Sequence, residues 1–257
     1  MEIVRSDANG VCTITLNRPS VYNSFNQTMA FQLQATLDAC SKDDAVRVIV
    51  ITGEGKAFSA GQDLGEATDN EGPTLTSIVR DHYNPIILKI REIEKPVIAA
   101  VNGVAAGAGA NIALACDITF AKKSASFIQA FSKIGLIPDS GGTFFLPRLI
   151  GMQKALALMM TGDKVSAEEA EKLNMIYKVI DDEDFSAEIT RFSEQLAMMP
   201  TRGLGLTKKA VNLGLFNSLE DQLELEEKLQ TQAGETDDFA EGVNAFLQKR
   251  TPQFKGK

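Results

Sequence analysis

Residues 95–118 read KPVIAAVNGVAAGAGANIALACDI. The run from Pro96 to Cys116 carries no charge, so a membrane span is the first reading to exclude. It is dominated by Ala rather than by Leu, Ile or Phe, and it contains Asn102, Asn111 and three glycines. That apolar content is weak for a span. The stretch reads instead as a buried strand at Val97–Val101, a tight Gly/Ala loop and a buried helix.

The same grammar extends outward in both directions. Upstream, Val46–Thr52 (VRVIVIT) is mostly β-branched, as expected of a strand buried on both faces, and it ends in a Gly53-Glu54-Gly55 turn. Val11–Leu16 (VCTITL) is another strand. Asn26 is a good N-cap for a helix whose stripe is Met29, Leu33, Leu37 and Cys40. Residues 66–77 (EATDNEGPTLTS) are polar and aperiodic and read as a mobile surface loop. Downstream, Cys116–Ala121, Ser126–Ile128 and Ile176–Ile180 read as strands, and Thr143–Met160 as mostly helical. Ser166 with Glu169 forms a capping box. Beyond about Asp184 only helical patterns remain, with a cap at Ser218 and Asp221 and a further helix at Asp238–Arg250. The expectation is an α/β core over 1–198 and a helical C-terminal segment over 199–257.

Composition narrows the chemistry. The chain has 257 residues and a net charge of −8, which makes it a poor general nucleic-acid binder. His82 is the one histidine, so Ser-His-Asp and Cys-His triads and His-rich zinc sites are excluded unless His82 itself serves. It reads as a surface or loop residue. Cys12, Cys40 and Cys116 form no CxxC pair and read as buried thiols of a reducing compartment. With no apolar signal core at MEIVRSDANG, a cytoplasmic protein without membrane or metal is expected.

Three segments can carry chemistry. Lys56–Leu64 (KAFSAGQDL) lies beyond the carboxyl end of a buried strand, the usual ligand edge of α/β folds. The small residues Ser59, Ala60 and Gly61 let a ligand approach the N–H groups of Gln62 and Asp63; the segment also reads as a plain turn with an Asp cap. Asn102–Asn111 offers a helix N-terminus at Gly107-Ala108-Gly109, with unpaired N–H groups and partial positive charge. Such a group can stabilise an oxyanion; close helix–sheet packing explains the same residues. In Ile134–Arg148 (IGLIPDSGGTFFLPR), Asp139 sits among apolar residues. Desolvation would raise its pKa toward that of a general base, or it caps the helix that follows. One carboxylate and two amides suit α-proton abstraction from a thioester.

At these residues the chain resembles the enoyl-CoA hydratase/isomerase (crotonase) superfamily over essentially its whole length. The matching pieces are LNRPSVYNSFN at 16–26, KAFSAGQDL, residues 95–118, GLIPDSGG and TGDKV at 161–165. The resemblance implies a spiral of ββα turns with C-terminal helices that build a homotrimer or a hexamer of two trimers. It implies an acyl-CoA substrate and no separate cofactor, coenzyme A arriving as part of the substrate. It places the oxyanion hole at the N–H groups of Gln62 and Ala108, beside Gly107. CoA contacts fall at Asn23, Ser24 and Phe25 and at Ala60, Asp63 and Leu64, and Lys255 in the basic tail RTPQFKGK matches a position that meets a CoA phosphate in some members, sometimes from the neighbouring subunit.

The departures are informative. The two positions at which hydratases of the family carry glutamates hold Asn111 and Phe131, neither of which is a base at neutral pH. The remaining carboxylate, Asp139, matches the base of some double-bond isomerases and the nucleophile of the dehalogenase branch. AFSKIGLIPDSGGTFFLPR, PTRGLGLTKKAVN and EGVNAFLQKRTPQFKGK resemble the subgroup that isomerises ring epoxides in phenylacetate degradation. The expectation is a CoA-thioester isomerase, by epoxide rearrangement or by a 3-enoyl to 2-enoyl shift. A hydratase using Asp139 alone and a non-catalytic CoA-thioester-binding subunit are the rivals. Phe131 and Phe145 are candidates to line an aromatic-sized acyl pocket, or plain core residues.

Overall fold

Strands form where β-branched and small apolar residues run together. In the computed structural model, which describes residues 1–257, they are β1 (Ile3–Ala8), β2 (Val11–Leu16), β3 (Val48–Gly53), β4 (Ala57–Ser59), β5 (Val97–Val101), β6 (Val104–Ala106), β7 (Ile118–Lys122), β8 (Ser126–Ile128), β9 (Lys164–Ser166) and β10 (Lys178–Ile180). The helices are α1 (Gln27–Lys42), α2 (Leu64–Ala67), α3 (Leu75–Ser77), α4 (Asn84–Glu92), α5 (Ala108–Ala115), α6 (Gly142–Ile150), α7 (Met152–Thr161), α8 (Ala167–Lys172), α9 (Phe185–Ala197), α10 (Thr201–Gly214), α11 (Leu219–Gly234) and α12 (Asp237–Gln248). Ile78–Tyr83 is a π-helical stretch leading into α4.

The long strands build a six-stranded sheet in the order β1-β2-β3-β5-β7-β10, and the short ones a second sheet, β4-β6-β8-β9. All pairs are parallel except β1 with β2 and β8 with β9. The chain thus spirals: long strand, tight turn, short strand, helix, and back. Alternate residues of the large sheet face opposite ways. Cys12, Ile14, Ile49, Ile51, Val97 and Ala99 join the main core with Met29, Leu33 and Leu37 of α1. Val11, Val48, Val50, Ile98 and Ala100 face a smaller core under Phe185 and Ile189 of α9. This two-sided burial is why these strands read as continuous apolar runs.

Two asparagines staple successive turns of the spiral. Asn102 accepts from the Gly53 N–H at 3.0 Å and donates to the Gly55 carbonyl at 3.0 Å. Asn23 donates to the carbonyls of Glu54 and Ala57. The turns are packed so closely that a Cβ at Gly103 would lie 2.1 Å from the Lys56 carbonyl oxygen. These short strands, set where the turns touch, put the ends of β4 and β6 side by side.

The C-terminal helices are fastened to this body by buried charge. Lys208 of α10, with only 8% of its side chain exposed, pairs with Asp117 at 2.8 Å and donates to the Ile90 carbonyl. Asp117 also accepts from the Val97 N–H. The tail is clasped to α12, where the Asp238 carboxylate accepts from the N–H groups of Lys255 and Gly256. Arg47, just before β3, holds the Phe254 carbonyl. Phe246 and Leu247 on α12 remain 83% and 73% exposed.

Some expectations are refined and others corrected. β1 is not among the expected strands; four of the six residues of IVRSDA are exposed. Thr143–Met160 is two helices, broken at Gly151 with φ +79°. Residues 66–77 include helical turns rather than an unbroken loop. His82 is not at the surface: it is 1% exposed. Cys12 and Cys40, distant in sequence, meet with their Sγ atoms 3.2 Å apart, as free thiols. No helix is long and apolar enough to cross a membrane.

Lys208→Ala should lower unfolding free energy by about 3 kcal/mol, the low end of the cost of breaking a buried pair, because Arg91 still faces Asp117. Urea titration of both proteins checks this; a change below about 1 kcal/mol would mean that the pair does not fasten α10.

Candidate active site

The first half of the site is built at the end of β4. The Ser59 hydroxyl accepts from the Gly61 N–H at 3.1 Å and donates to the Asn23 carbonyl, and Gly61 takes φ +88°, a value that suits glycine. Phe25 then pairs with Gln62 in a single parallel bridge. The Phe25 N–H donates to the Gly61 carbonyl and its carbonyl accepts from the Asp63 N–H. In a parallel bridge the residue opposite keeps its own N–H and C=O turned to the other side. The Gln62 N–H therefore meets no acceptor within the chain. The Gln62 side chain is held separately, accepting from the Tyr83 hydroxyl at 2.9 Å and donating to Glu66 at 3.3 Å.

The second half is the start of α5. Gly107, at φ +53°, donates its N–H to the Ile128 carbonyl, and the helix begins at Ala108. The N–H of Ala108, like others of a first helical turn, has no partner. A Cβ at Gly61 would stand 2.8 Å from the Ala106 carbonyl oxygen and 3.3 Å from the Ala108 nitrogen. The free N–H groups of Gln62 and Ala108 are thus neighbours, and the helix dipole adds partial positive charge there.

Asp139 comes from the turn before α6. Its carbonyl accepts from the Asn111 amide at 2.8 Å and from the Gly142 N–H at 2.9 Å. Its carboxylate accepts from the Ser140 hydroxyl at 2.8 Å and does not cap α6, which begins with no side-chain cap. Burial pushes the Asp139 carboxyl above its ordinary value, with the Ser140 hydrogen bond opposing. The buried Tyr83 phenol, itself pushed well up by burial, also feels the Asp139 charge. Tyr83 therefore touches Gln62 and lies within electrostatic range of Asp139. Phe131 leans over the loop, its ring 3.8 Å from where a Gly107 Cβ would be. Phe145 packs on Gly141 and under Arg91.

The remaining expected residues divide. Ala60 and Leu64 are exposed beside Gln62, as a ligand rim requires. Ser24 and Phe25 are 7% and 1% exposed, the Phe25 ring packing on Tyr83 in the core, so Phe25 offers a ligand no side-chain surface. Asn23 is a turn staple, fully buried. Asp63 caps α2 and pairs with Arg18 at 3.0 Å. Lys255 is not brought to this site within one chain: Arg47 anchors its tail at the end of β3 opposite the turn that leads to Gln62.

Sequence reasoning missed Tyr83, whose contact with Gln62 spans 21 residues and follows no periodicity. It also missed that neither ring nitrogen of the buried His82 has a partner; burial lowers its pKa. No cluster of three or more His, Cys, Asp or Glu side chains comes together that could hold a metal ion. Two adjacent free amides near a partly buried carboxylate can hold an oxyanion and move a proton.

Comparison with known proteins agrees with this architecture. Residues 6–257 match the family described as enoyl-CoA hydratase/isomerase. A 1,2-epoxyphenylacetyl-CoA isomerase of Escherichia coli is 48% identical, with 100% of both chains covered. A Rhodobacter capsulatus protein named "Probable enoyl-CoA hydratase" is 44% identical over 97% of this chain and 96% of its own. The crystal structure of an enoyl-CoA hydratase from Bacillus anthracis superposes with a TM-score of 0.93 at 34% identity, covering 100% of each chain.

The raised Asp139 pKa has a stability consequence. Its ionised form is disfavoured in the folded state, so the penalty is present above the folded pKa and gone below the ordinary 3.8. Asp139→Asn should therefore raise the melting temperature at pH 7, the gain shrinking as pH falls toward 4. Scanning calorimetry of both proteins across that range tests it; no gain at pH 7 would mean that Asp139 is not penalised by burial.

Proposed function

The chain belongs to the enoyl-CoA hydratase/isomerase family, and on that premise we propose that it is an acyl-CoA thioester isomerase with Asp139 as its base. Its substrate is a ring-1,2-epoxyphenylacetyl-CoA, rearranged to an oxepin-CoA, or a 3-enoyl-CoA, shifted to the 2-enoyl isomer. The observation that carries this reading is that Asn111 and Phe131, the two positions where a hydratase would need glutamates, hold an amide engaged on both ends and an apolar ring. Asp139 is then the carboxylate left to act.

The Gln62 and Ala108 N–H groups bond the thioester carbonyl oxygen. Charge moving onto that oxygen acidifies the α-carbon. Asp139 removes an α-proton, the enolate delocalises over the adjacent double bond, and the same carboxyl returns the proton at the γ-carbon. No atom is gained or lost. With a ring epoxide, the same amides and carboxylate assist opening and rearrangement. Coenzyme A is part of the substrate and lies along Ala60 and Leu64. The exposed apolar residues of α10–α12 in segment 199–257 are the surfaces through which copies assemble into a trimer or a hexamer.

The test is incubation of the pure protein with a 3-enoyl-CoA. New conjugated absorbance at unchanged mass is expected, with kcat about 10²–10⁴ lower in Asp139→Asn while thioester binding persists. A product heavier by one water would make the protein a hydratase. Gly61→Ala, whose Cβ would collide with the Ala106 carbonyl, should displace the Gln62 amide and lower kcat by about 10²-fold. Phe246→Glu with Leu247→Glu should dissociate the assembly in sedimentation experiments; an unchanged oligomer would place the interface elsewhere.

A further inference from the structure

A buried line of side chains reaches the Asp139 turn. Gln129 donates from Nε2 to Asn111 Oδ1 at 2.8 Å, and Asn111 donates from Nδ2 to the Asp139 carbonyl at 2.8 Å. Gln129 and Asn111 are 2% and 0% exposed. Both ends of the line are tied to the other half of the site. Asn111 lies in the first turn of α5, its own N–H bonded to the Gly107 carbonyl. Gln129 follows Ile128, whose carbonyl takes the Gly107 N–H.

The Asn111 amide is fixed in orientation as well as in place. Its oxygen must face the Gln129 donor and its NH₂ must face a carbonyl. A Cβ at Gly142 would lie 2.4 Å from Asn111 Nδ2, so the amide presses on the backbone that opens α6. The turn it supports is unusual: Ser140 and Gly141 take φ +50° and +74° in succession. A non-glycine residue persists in that region only where its surroundings over-determine it.

We propose that Asn111, oriented by Gln129, is a positioning residue that fixes the Asp139 carboxylate relative to the Ala108 N–H. This rests on the reading of Asp139 as the base. The task demands an amide, because the group must donate to one neighbour and accept from the other. A carboxylate of the same size accepts only, and would set charge against the Asp139 carbonyl. Asp139 itself is perturbed by burial, by the Ser140 hydroxyl and by its own N–H. Tyr83 is a titratable group that senses it.

The experiment is steady-state kinetics of Asn111→Asp on the full-length protein with a 3-enoyl-CoA between pH 6 and 9. At pH 8, kcat should fall about 10- to 100-fold while KM changes less than about threefold, since misplacing a reacting group costs rate rather than binding. The deficit should narrow as pH falls, because the substituted carboxyl once protonated can donate again. Gln129→Met should lower kcat by about threefold or more and add nothing further in the Asn111→Asp background. A folded Asn111→Asp protein with kcat within about twofold of wild type, a loss confined to KM, or a loss independent of pH would overturn the proposal. If Asn111→Asp does not fold, full kcat in Gln129→Met would overturn it. Asp139→Asn separates the two failures: activity there removes the base reading and this proposal together. Inactivity there beside a wild-type-like Asn111→Asp removes the positioning role alone.

Discussion

The close approach of Gly61 to Ala106 and Ala108 is the constraint on which the rest depends. No side chain fits at residue 61, where a Cβ would stand 2.8 Å from a carbonyl oxygen. That contact exists because β4 and β6 are adjacent parallel strands, each ending in a loop at the same edge. It leaves two backbone N–H groups next to each other with nothing in the chain to bond. Unpaired donors withdrawn from water are unfavourable unless a ligand meets them; Ala108 is buried and Gln62 half-buried. The fold thus holds a small, fixed deficit at the place where a carbonyl oxygen can make it good.

The third element, Asp139, follows the same logic. Its carboxyl is raised by burial, in a turn whose left-handed residues are held by hydrogen bonds from Asn111 and Gly142. Stability is given up at this turn and recovered elsewhere, in the continuous apolar faces of the six-stranded sheet and in the Lys208–Asp117 pair that fastens α10. The aromatic stack of Phe144 on Phe216, with rings 5.6 Å apart, brings the C-terminal segment against α6, directly after that turn. The helical segment thus touches α6 through this stack, while Phe216 stays largely exposed.

Much of this was legible in the sequence, for identifiable reasons. VCTITL is observed as β2 with the boundaries its β-branched run suggests, and Asn26 caps α1 through Met29. Both glycine loops announced themselves, because glycine is required where backbones touch or φ is positive. What stayed hidden depends on contacts between distant residues. Asn111 is one amide in an Ala-rich helix, and nothing local says that it reaches Asp139, 28 residues on. Tyr83 and His82 sit in a π-helical stretch, a geometry that ordinary helical periodicity does not encode. The capping role for Asp139 was a sound local expectation that the carboxylate's partner, Ser140, replaces. Lys255 matched a position that serves CoA sometimes from the neighbouring subunit; within one chain its backbone is held by Asp238.

In the proposed mechanism, two amides and one carboxylate converge on a single thioester. The most direct measurement is a crystal structure of the protein with an unreactive acyl-CoA thioester bound. The carbonyl oxygen should lie about 2.7–3.2 Å from both the Gln62 and the Ala108 nitrogen, with the Asp139 carboxylate facing the α-carbon. A carbonyl bonded elsewhere, or a carboxylate turned away from the acyl chain, would contradict it.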